Sequence, residues 1–378
     1  MATLVIKIGT SSLTRPETGD LNLSAIARLV ETAVALRRLG HRVLMVSSGA
    51  VGVGCSRLGL TTRPQVLAQK QAVAAVGQGR LMGLYDDFFA EFRQPVAQVL
   101  LTRDNLLSRR QYQSVCTTLE TLLTMGVIPI ANENDTVATE ELKFGDNDTL
   151  SALVAGAIAA DWLFLLTDVD RLYSANPKLD PQARPIAHVT APELMTLTVD
   201  VAGDSRWGTG GMATKLAAAR IAVTAGVQVA ITKGSEPERL LGLVAGEPHG
   251  TVFAPDPQPL NARKRWLAYG AMPVGTLWLD RGAVVAVRDR GRSLLPVGIV
   301  AIEGEFEAGD AVRLGDRETG QEVARGLVNY GSPELRQILG HPSTAIATIL
   351  GVEGEPTAVH RDNLVVLPSI GSDTVDSG

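Results

Sequence analysis

The chain has 378 residues, of which 45% are hydrophobic and only 4% aromatic. That length is about two to three times the usual size of one domain, so we expect two domains. Lysine and arginine total 35 against 40 acidic residues, and the formal net charge of −5 argues against a nucleic-acid binder that depends on bulk positive charge, leaving a local basic patch as the alternative. Two cysteines, Cys55 and Cys116, are too few for a disulfide framework and lack the paired spacing of a zinc site, so a reducing cytoplasm is the expected location.

The first two thirds of the chain alternate apolar β-branched runs with segments of helical periodicity. The predicted strands are residues 4–8, 43–46, 96–101, 127–131, 162–166 and 227–231. The predicted helices begin near residues 23, 64, 108, 147 and 212. This alternation predicts an α/β fold, with a parallel sheet covered by helices on both faces. The chain has neither a signal-peptide pattern nor an apolar run of ~20 residues, so we expect no membrane span.

A glycine-rich segment, residues 47–54, follows the second predicted strand and is interpreted as a loop shaped for a ligand or for tight helix packing. Two common nucleotide signatures fail in this chain. Arg57 stands where the dinucleotide pattern requires a third glycine, and Lys215 is followed by leucine rather than by the serine or threonine of a Walker A motif. Any bound phosphate must therefore be held by another scheme.

The amino-acid composition and the hydrophobic pattern of the sequence change after about residue 250. Three prolines within residues 255–259 indicate a linker. Beyond Val274, short segments punctuated by glycine, among them residues 275–280, 282–287 and 309–314, predict a small β-rich domain. We therefore expect a first domain over 1–254, a linker over 255–273, a second domain over 274–367 and a polar tail, typical of disorder, over 368–378.

Two lysines are candidates for holding phosphate. Lys7 lies on an apolar strand and precedes Gly9 and several hydroxyl side chains, an environment that suits an anion. The alternative is an edge-strand lysine that reaches solvent. Residues 209–215 join two glycines, a helix N-terminus and Lys215, which predicts a phosphate cradle, with an ordinary glycine loop as the alternative.

Polar residues lie at the ends of three other predicted elements. Residues 132–135 end a strand and residues 145–148 begin a helix, which places side-chain acceptors at the carboxyl edge of the sheet, where α/β proteins bind ligands. Helix capping by Asp146 or Asn147 is the alternative. Thr167 and Asp168 end another strand and could equally form a simple turn. The five histidines form no metal or triad pattern.

Taken together and in order, these motifs resemble the glutamate 5-kinase family of the amino-acid kinase superfamily. The motifs are Val5-Ile-Lys-Ile-Gly-Thr-Ser, Val46-Ser-Ser-Gly-Ala-Val, Asn132-Glu-Asn-Asp, Phe144-Gly-Asp-Asn-Asp and Gly208-Thr-Gly-Gly-Met-Ala-Thr-Lys. The tail resembles the PUA domain that many members append, through Gly291-Arg-Ser-Leu-Leu-Pro-Val-Gly, Gly304-Glu-Phe-Glu-Ala-Gly-Asp and His360-Arg-Asp-Asn. The resemblance covers nearly the whole chain.

The resemblance implies the reaction of ATP with L-glutamate to give L-glutamyl 5-phosphate, the first step of proline synthesis. It implies that Lys7 stabilises the transferring phosphoryl group, that Lys215 stabilises the phosphates on the ATP side, and that Asp148 holds both lysines in place. The implied glutamate-binding residues are Ser47, Gly49, Asp135 and Asn147. The implied ATP-binding residues are Lys7, Thr167, Asp168, Thr209, Gly210, Gly211, Met212, Ala213, Thr214 and Lys215.

The family further implies Mg²⁺ carried mostly by ATP, with no protein ligand named, feedback inhibition by proline, and a homotetramer. PUA domains elsewhere bind RNA, but residues 274–352 hold eight arginines, no lysine and ten acidic residues, which argues against an RNA surface here. The alternatives are another amino-acid or carboxylate kinase of the same fold and an RNA-binding PUA protein. Whether residues 171–208 form a mobile lid or a rigid hairpin is open at this stage.

Overall fold

The computed structural model divides into two compact units, residues Met1–Leu260 and Asn261–Gly378, which are described separately. The structure describes residues 1–15, 21–60, 62–102, 105–106, 109–138, 146–175, 177, 180, 182–197, 211–257, 259, 264, 267, 273–351 and 354–367. Within these ranges, the helices lack the combination of length and apolar character that crossing a membrane would require.

The first unit is built on an eight-stranded sheet. Its strands are β1 (Thr3–Ile8), β2 (Arg42–Ser47), β3 (Val96–Leu101), β4 (Ile128–Glu133), β5 (Trp162–Thr167), β8 (His188–Val189), β9 (Gln228–Lys233) and β10 (Thr251–Phe253). Their order across the sheet is β3-β4-β2-β1-β5-β9-β10-β8, and every pair is parallel except β9 with β10. The predicted α/β class is confirmed. A parallel sheet brings the carboxyl ends of its strands to one edge, and the candidate residues follow those ends.

Helices cover both faces of this sheet. They are α1 (Thr10–Leu13), α2 (Leu23–Arg38), α3 (Ala50–Arg57), α4 (Leu67–Ala90), α5 (Arg109–Thr124), α6 (Asn147–Ala157), α7 (Ala191–Thr196), α8 (Met212–Thr224) and α9 (Arg239–Val244). Side chains of β1 alternate between two cores: Val5 packs with α6 and α8, while Leu4 and Ile6 pack with α2 and α4. All six residues of β1 are buried, which explains its nearly unbroken apolar sequence.

The glycine-rich segment 47–54, interpreted from sequence as a loop, is largely helical. Helix α3 begins at Ala50, directly after Gly49, whose φ of 110° places it in the left-handed region that favours glycine. The later glycines permit helix packing. A Cβ on Gly77 of α4 would lie 1.8 Å from the carbonyl oxygen of Ala50, and a Cβ on Gly54 would lie 2.0 Å from that of Val73. Close approach of α3 and α4 is therefore the physical reason for glycine at 54 and 77.

This packing predicts opposite effects for two alanine substitutions in α4. Gly77→Ala must push α3 and α4 apart and is expected to lower the free energy of unfolding by at least ~1–3 kcal/mol. Gly79→Ala adds a methyl group where nothing lies within 4 Å, and is expected to raise it by about 0.5–1 kcal/mol, because alanine favours a helix interior. Urea unfolding of both variants checks this, and equal effects would contradict the close contact.

A two-stranded hairpin lies within the segment whose form was left open. Strands β6 (Leu172–Tyr173) and β7 (Pro185–Ile186) pair antiparallel, and the N–H of Leu172 donates to Thr251 Oγ1 at 2.8 Å. The start of this segment is thus tied to the sheet. Residues 198–208 lie outside the described residues.

The second unit has its own five-stranded sheet and core. Its strands are β11 (Gly275–Leu279), β12 (Ile299–Gly304), β13 (Ala311–Asp316), β14 (Glu322–Val328) and β15 (Val359–Val366), in the order β12-β11-β13-β14-β15. Its helices are α10 (Arg281–Arg288), α11 (Ser332–Ile338) and α12 (Ile346–Leu350). The predicted β-rich character is confirmed.

One segment of this unit differs from the prediction. Residues 282–287, interpreted as part of the β-rich pattern, lie in α10. The side chain of Asp280 caps this helix by accepting the N–H of Ala283 at 2.7 Å, and Val284 and Val287, three residues apart, are buried. A helical cap and helical spacing outweigh the β propensity of the valines.

Candidate active site

Lys7 lies at the centre of the sheet. Strand β1 runs between β2 and β5, so Ile8 pairs with Ser47 on one side and Lys7 pairs with Leu165 on the other. The Lys7 residue is only 5% exposed. The alternative of an edge-strand lysine that reaches solvent is therefore wrong.

Asp148, on the first turn of α6, joins Lys7 to Lys215. Its Oδ1 lies 2.5 Å from Lys7 Nζ and its Oδ2 lies 3.3 Å from Lys215 Nζ. Thr214 Oγ1 also donates to Asp148 Oδ2, at 3.0 Å. The Lys7 contact is an ion pair whose direction is poor for a hydrogen bond, since Asp148 Oδ1 has no partner of good hydrogen-bond geometry. We call Lys7, Asp148 and Lys215 the charge clamp.

All three members of the charge clamp are buried, with Asp148 fully inaccessible. Burial raises the pKa of Asp148, but Lys7 and Lys215 outweigh this and hold that pKa below its ordinary value. Burial also lowers the pKa of Lys7, and the attraction of Asp148 does not fully offset it. Asp148 is therefore ionised at neutral pH.

The N-terminus of α6 presents two consecutive polar residues to different neighbours. Asp146 caps the helix by accepting the N–H of Thr149 at 2.7 Å, so the capping alternative is correct for Asp146. Burial raises the pKa of Asp146 above its ordinary value. Asn147 has a different task. Its Nδ2 lies 2.9 Å from Asn132 Oδ1, 2.9 Å from Ser48 Oγ and 3.2 Å from the carbonyl oxygen of Ser47.

A group of hydrogen-bonded polar residues, which we call the polar pocket, therefore adjoins the charge clamp on the β2–β4 side of the sheet: Ser47, Ser48, Asn132 and Asn147. Ser47 ends β2 and is buried, and its Oγ lies 2.9 Å from the hydroxyl of Tyr85. Gly49 turns the chain two residues after Ser47, and Asp135 lies half-buried in the turn after β4. The structure thus brings the predicted glutamate-binding residues Ser47 and Asn147 together.

Apart from Lys7, the predicted nucleotide residues that the structure describes lie on the other side of β1. Thr167 ends β5, is buried, and donates to Asp168 Oδ1 at 3.0 Å, while Asp168 itself is exposed. Gly211 is the N-cap residue of α8, and Lys215 is buried one turn into that helix. The remaining predicted residues of this helix start, Met212, Ala213 and Thr214, occupy its first turn. Thr209 and Gly210 lie outside the described residues.

Sequence reasoning missed three residues of this site. Tyr85 and Gln78 lie seven residues apart on α4, and Gln78 Oε1 accepts from Asn132 Nδ2 at 2.7 Å. Asn132 was noted at the strand end but not assigned a role. Burial raises the pKa of Tyr85 to about 12, so its hydroxyl is neutral and available to Ser47. A seven-residue spacing on a helix also fits a packing face, so nothing in the sequence singled out Tyr85 or Gln78.

The arrangement combines two buried ammonium groups, a helix N-terminus and a polar pocket at one edge of the sheet. The first N–H groups of α8 have no acceptor within the helix and carry its positive end, so they favour an anion beside Lys215. Over the described ranges, no three His, Cys, Asp or Glu side chains are grouped to hold a metal ion. The site is thus suited to stabilising transferred negative charge by fixed cations.

Two family models match the chain, one in each unit. The model of the amino acid kinase family matches residues 2–233, and the model of the PUA domain matches residues 275–350.

Curated relatives match over almost their full length. Glutamate 5-kinase from Rippkaea orientalis is 62% identical over 96% of this chain and 99% of its own, and that from Nostoc punctiforme is 60% identical over 97% and 99%. Among solved structures, carbamate kinase from Giardia lamblia bound to AMP-PNP is 17% identical, with a TM-score of 0.51 over 68% of this chain and 99% of its own. At that identity, the likeness shows the fold alone.

Proposed function

The chain belongs to the amino acid kinase family and, within it, to the glutamate 5-kinases, and on that premise we propose that it phosphorylates the side-chain carboxylate of L-glutamate. ATP is the phosphoryl donor, and the products are ADP and L-glutamyl 5-phosphate. The observation that carries this proposal is the charge clamp, in which two buried lysines share one buried aspartate between a polar pocket and a helix N-terminus.

The reaction joins two anions, and its main demands are charge neutralisation and in-line alignment. A side-chain carboxylate is already deprotonated at neutral pH, so no general base is needed. Its oxygen forms a bond to the γ-phosphorus as the bond from that phosphorus to the β–γ bridging oxygen breaks, and the electron pair leaves with ADP. Lys7 neutralises charge near the transferring group and Lys215 on the ATP side. Asp148 keeps both ammonium groups in position.

The polar pocket is the proposed binding site of the amino-acid substrate. Ser47, Gly49, Asp135 and Asn147 bind glutamate in this proposal, with the Asp135 carboxylate paired with the α-ammonium. Thr167, Asp168 and the residues from 209 to 215 bind ATP. Mg²⁺ would add charge neutralisation as a complex with the phosphate oxygens, a form that fits a described site without a protein cage of acidic side chains.

We also propose a place for this reaction at the start of proline synthesis, with proline as a feedback inhibitor and a homotetramer as the assembly. These follow the family to which the chain belongs. Nucleic acid is not a proposed ligand of the second unit, because residues 274–352 contain more acidic than basic side chains.

The direct test is an ADP-release assay with L-glutamate, L-aspartate and N-acetyl-L-glutamate as separate acceptors. We expect ADP release with glutamate, together with an acyl phosphate that hydroxylamine traps as the γ-hydroxamate. Release with aspartate or N-acetylglutamate alone would assign the chain to a different carboxylate kinase. An absence of hydroxamate from glutamate would refute the proposal.

A further inference from the structure

Three side-chain amides form a continuous chain of hydrogen bonds beside the charge clamp, which we call the amide relay. Asn147 Nδ2 donates to Asn132 Oδ1 at 2.9 Å, and Asn132 Nδ2 donates to Gln78 Oε1 at 2.7 Å. The relay thus runs from the start of α6, through β4, to the middle of α4. Asn132 is buried, whereas Gln78 is half-buried.

Backbone groups fix the direction of every amide in the relay. The N–H of Glu133, which can only donate, bonds Asn132 Oδ1 at 2.9 Å. The carbonyl oxygen of Ser47, which can only accept, lies 3.2 Å from Asn147 Nδ2. Asn132 must therefore turn its Nδ2 toward Gln78, and Gln78 must accept with Oε1. A flip of any one amide would place like groups against each other.

The two ends of the relay have opposite hydrogen-bonding character. Asn147 keeps Oδ1, an acceptor, and Gln78 keeps Nε2, a double donor, and within the described ranges neither atom has a protein partner. The backbone end of an amino acid has the complementary pair, an ammonium group that donates and a carboxylate that accepts. The relay therefore matches the α-carbon substituents of the substrate.

We propose that Gln78 binds the α-carboxylate of the amino-acid substrate through Nε2, while Asn147 Oδ1 accepts from its α-ammonium. This inference rests on the proposed function and assigns a subsite within it. This contact determines which of the two carboxylates of glutamate faces the phosphoryl group. Glutamate carries both an α- and a γ-carboxylate, and holding the α-group at Gln78 directs the γ-group toward Lys7 and Lys215.

Gln78→Glu tests this contact because it replaces the donor Nε2 with an acceptor oxygen. The hydrogen bond from Asn132 Nδ2 is kept, so the relay stays in place. One oxygen of the introduced carboxylate still accepts from Asn132 Nδ2, while the other faces the α-carboxylate as an anionic acceptor. For L-glutamate, kcat/KM is expected to fall about 100-fold, mainly through KM, since a charge-assisted hydrogen bond is lost. For the α-amide of L-glutamate, whose N–H can donate to the introduced carboxylate, the fall is expected to be at least about tenfold smaller.

A merely structural role for Gln78 would lower kcat/KM equally for both acceptors, and this outcome would overturn the proposal. The KM for ATP and the unfolding temperature are expected to stay unchanged. Gln69→Glu, the same change at an exposed position of α4, serves as the matched control. If the first variant does not accumulate, Gln78→Met removes the donor without adding charge, and it should lose about tenfold with glutamate and less with the α-amide. Failure of the wild-type chain to phosphorylate glutamate would refute the proposed function, whereas wild-type turnover with unchanged selectivity in the variants would refute this subsite alone.

Discussion

Replacement of Lys215 by alanine is expected to lower kcat by about 10²–10³-fold, because it removes a fixed cation that stabilises charge only as the phosphoryl group transfers. The KM for glutamate should change little, since Lys215 lies on the proposed nucleotide side of β1 and the polar pocket lies on the other. Steady-state kinetics with each substrate varied in turn checks the prediction. Near-normal turnover would show that Lys215 has no catalytic role.

The loss in this variant can be separated from unfolding. Without Lys215, the buried carboxylate of Asp148 keeps its ion pair with Lys7. We therefore expect Lys215→Ala to unfold at nearly the wild-type temperature. Lys70→Ala, a change at a half-exposed lysine of α4, provides a matched control that should keep wild-type turnover.

Asp148→Asn is expected to have the largest effect on stability. It leaves two buried ammonium groups without their shared counter-ion, and removal of one member of a buried pair costs about 3–5 kcal/mol. Activity should also be lost, because Lys7 and Lys215 then repel each other out of position. Urea unfolding and the hydroxamate assay measure the two effects.

Removing one of the two lysines of the charge clamp gives a further test of the Asp148→Asn prediction. Adding Lys215→Met to Asp148→Asn removes one of the two lysines that shared the Asp148 carboxylate, so the double variant should regain part of the lost stability but none of the activity. ATP, whose phosphates bring negative charge, should raise the unfolding temperature of Asp148→Asn more than that of the wild type. A double variant no more stable than Asp148→Asn would contradict the clamp as a coupled charge group.

The sequence predicts those residues of the candidate site whose positions follow from the strand order alone. Parallel strands end at one edge, so Lys7, Ser47 and Thr167 had to lie close together once their strands were recognised. Asp146 was predictable as a cap because its side chain acts on its own helix. Predictions of this kind need only the local sequence and the strand order.

Prediction fails where a contact depends on how two elements pack. Gln78 and Tyr85 reach the site because Gly54 and Gly77 allow α3 and α4 to approach closely. The sequence around each glycine does not show which helix will pack against it. Gly54, together with Gly49 and Gly52, also led to the interpretation of residues 47–54 as a loop. The burial of Lys7 likewise depends on β1 lying inside the sheet, which periodicity does not reveal.

Asn147 and Asp148 are neighbours in sequence but serve opposite sides of the site, since Asn147 contacts Ser47 and Asn132 while Asp148 contacts the two lysines. One helix start therefore holds both halves, and a tilt that suits a ligand in the polar pocket also shifts the carboxylate between the lysines. Such a tilt would link the affinities for the amino acid and for ATP, and any factor by which one ligand changed the binding of the other would be returned in equal measure.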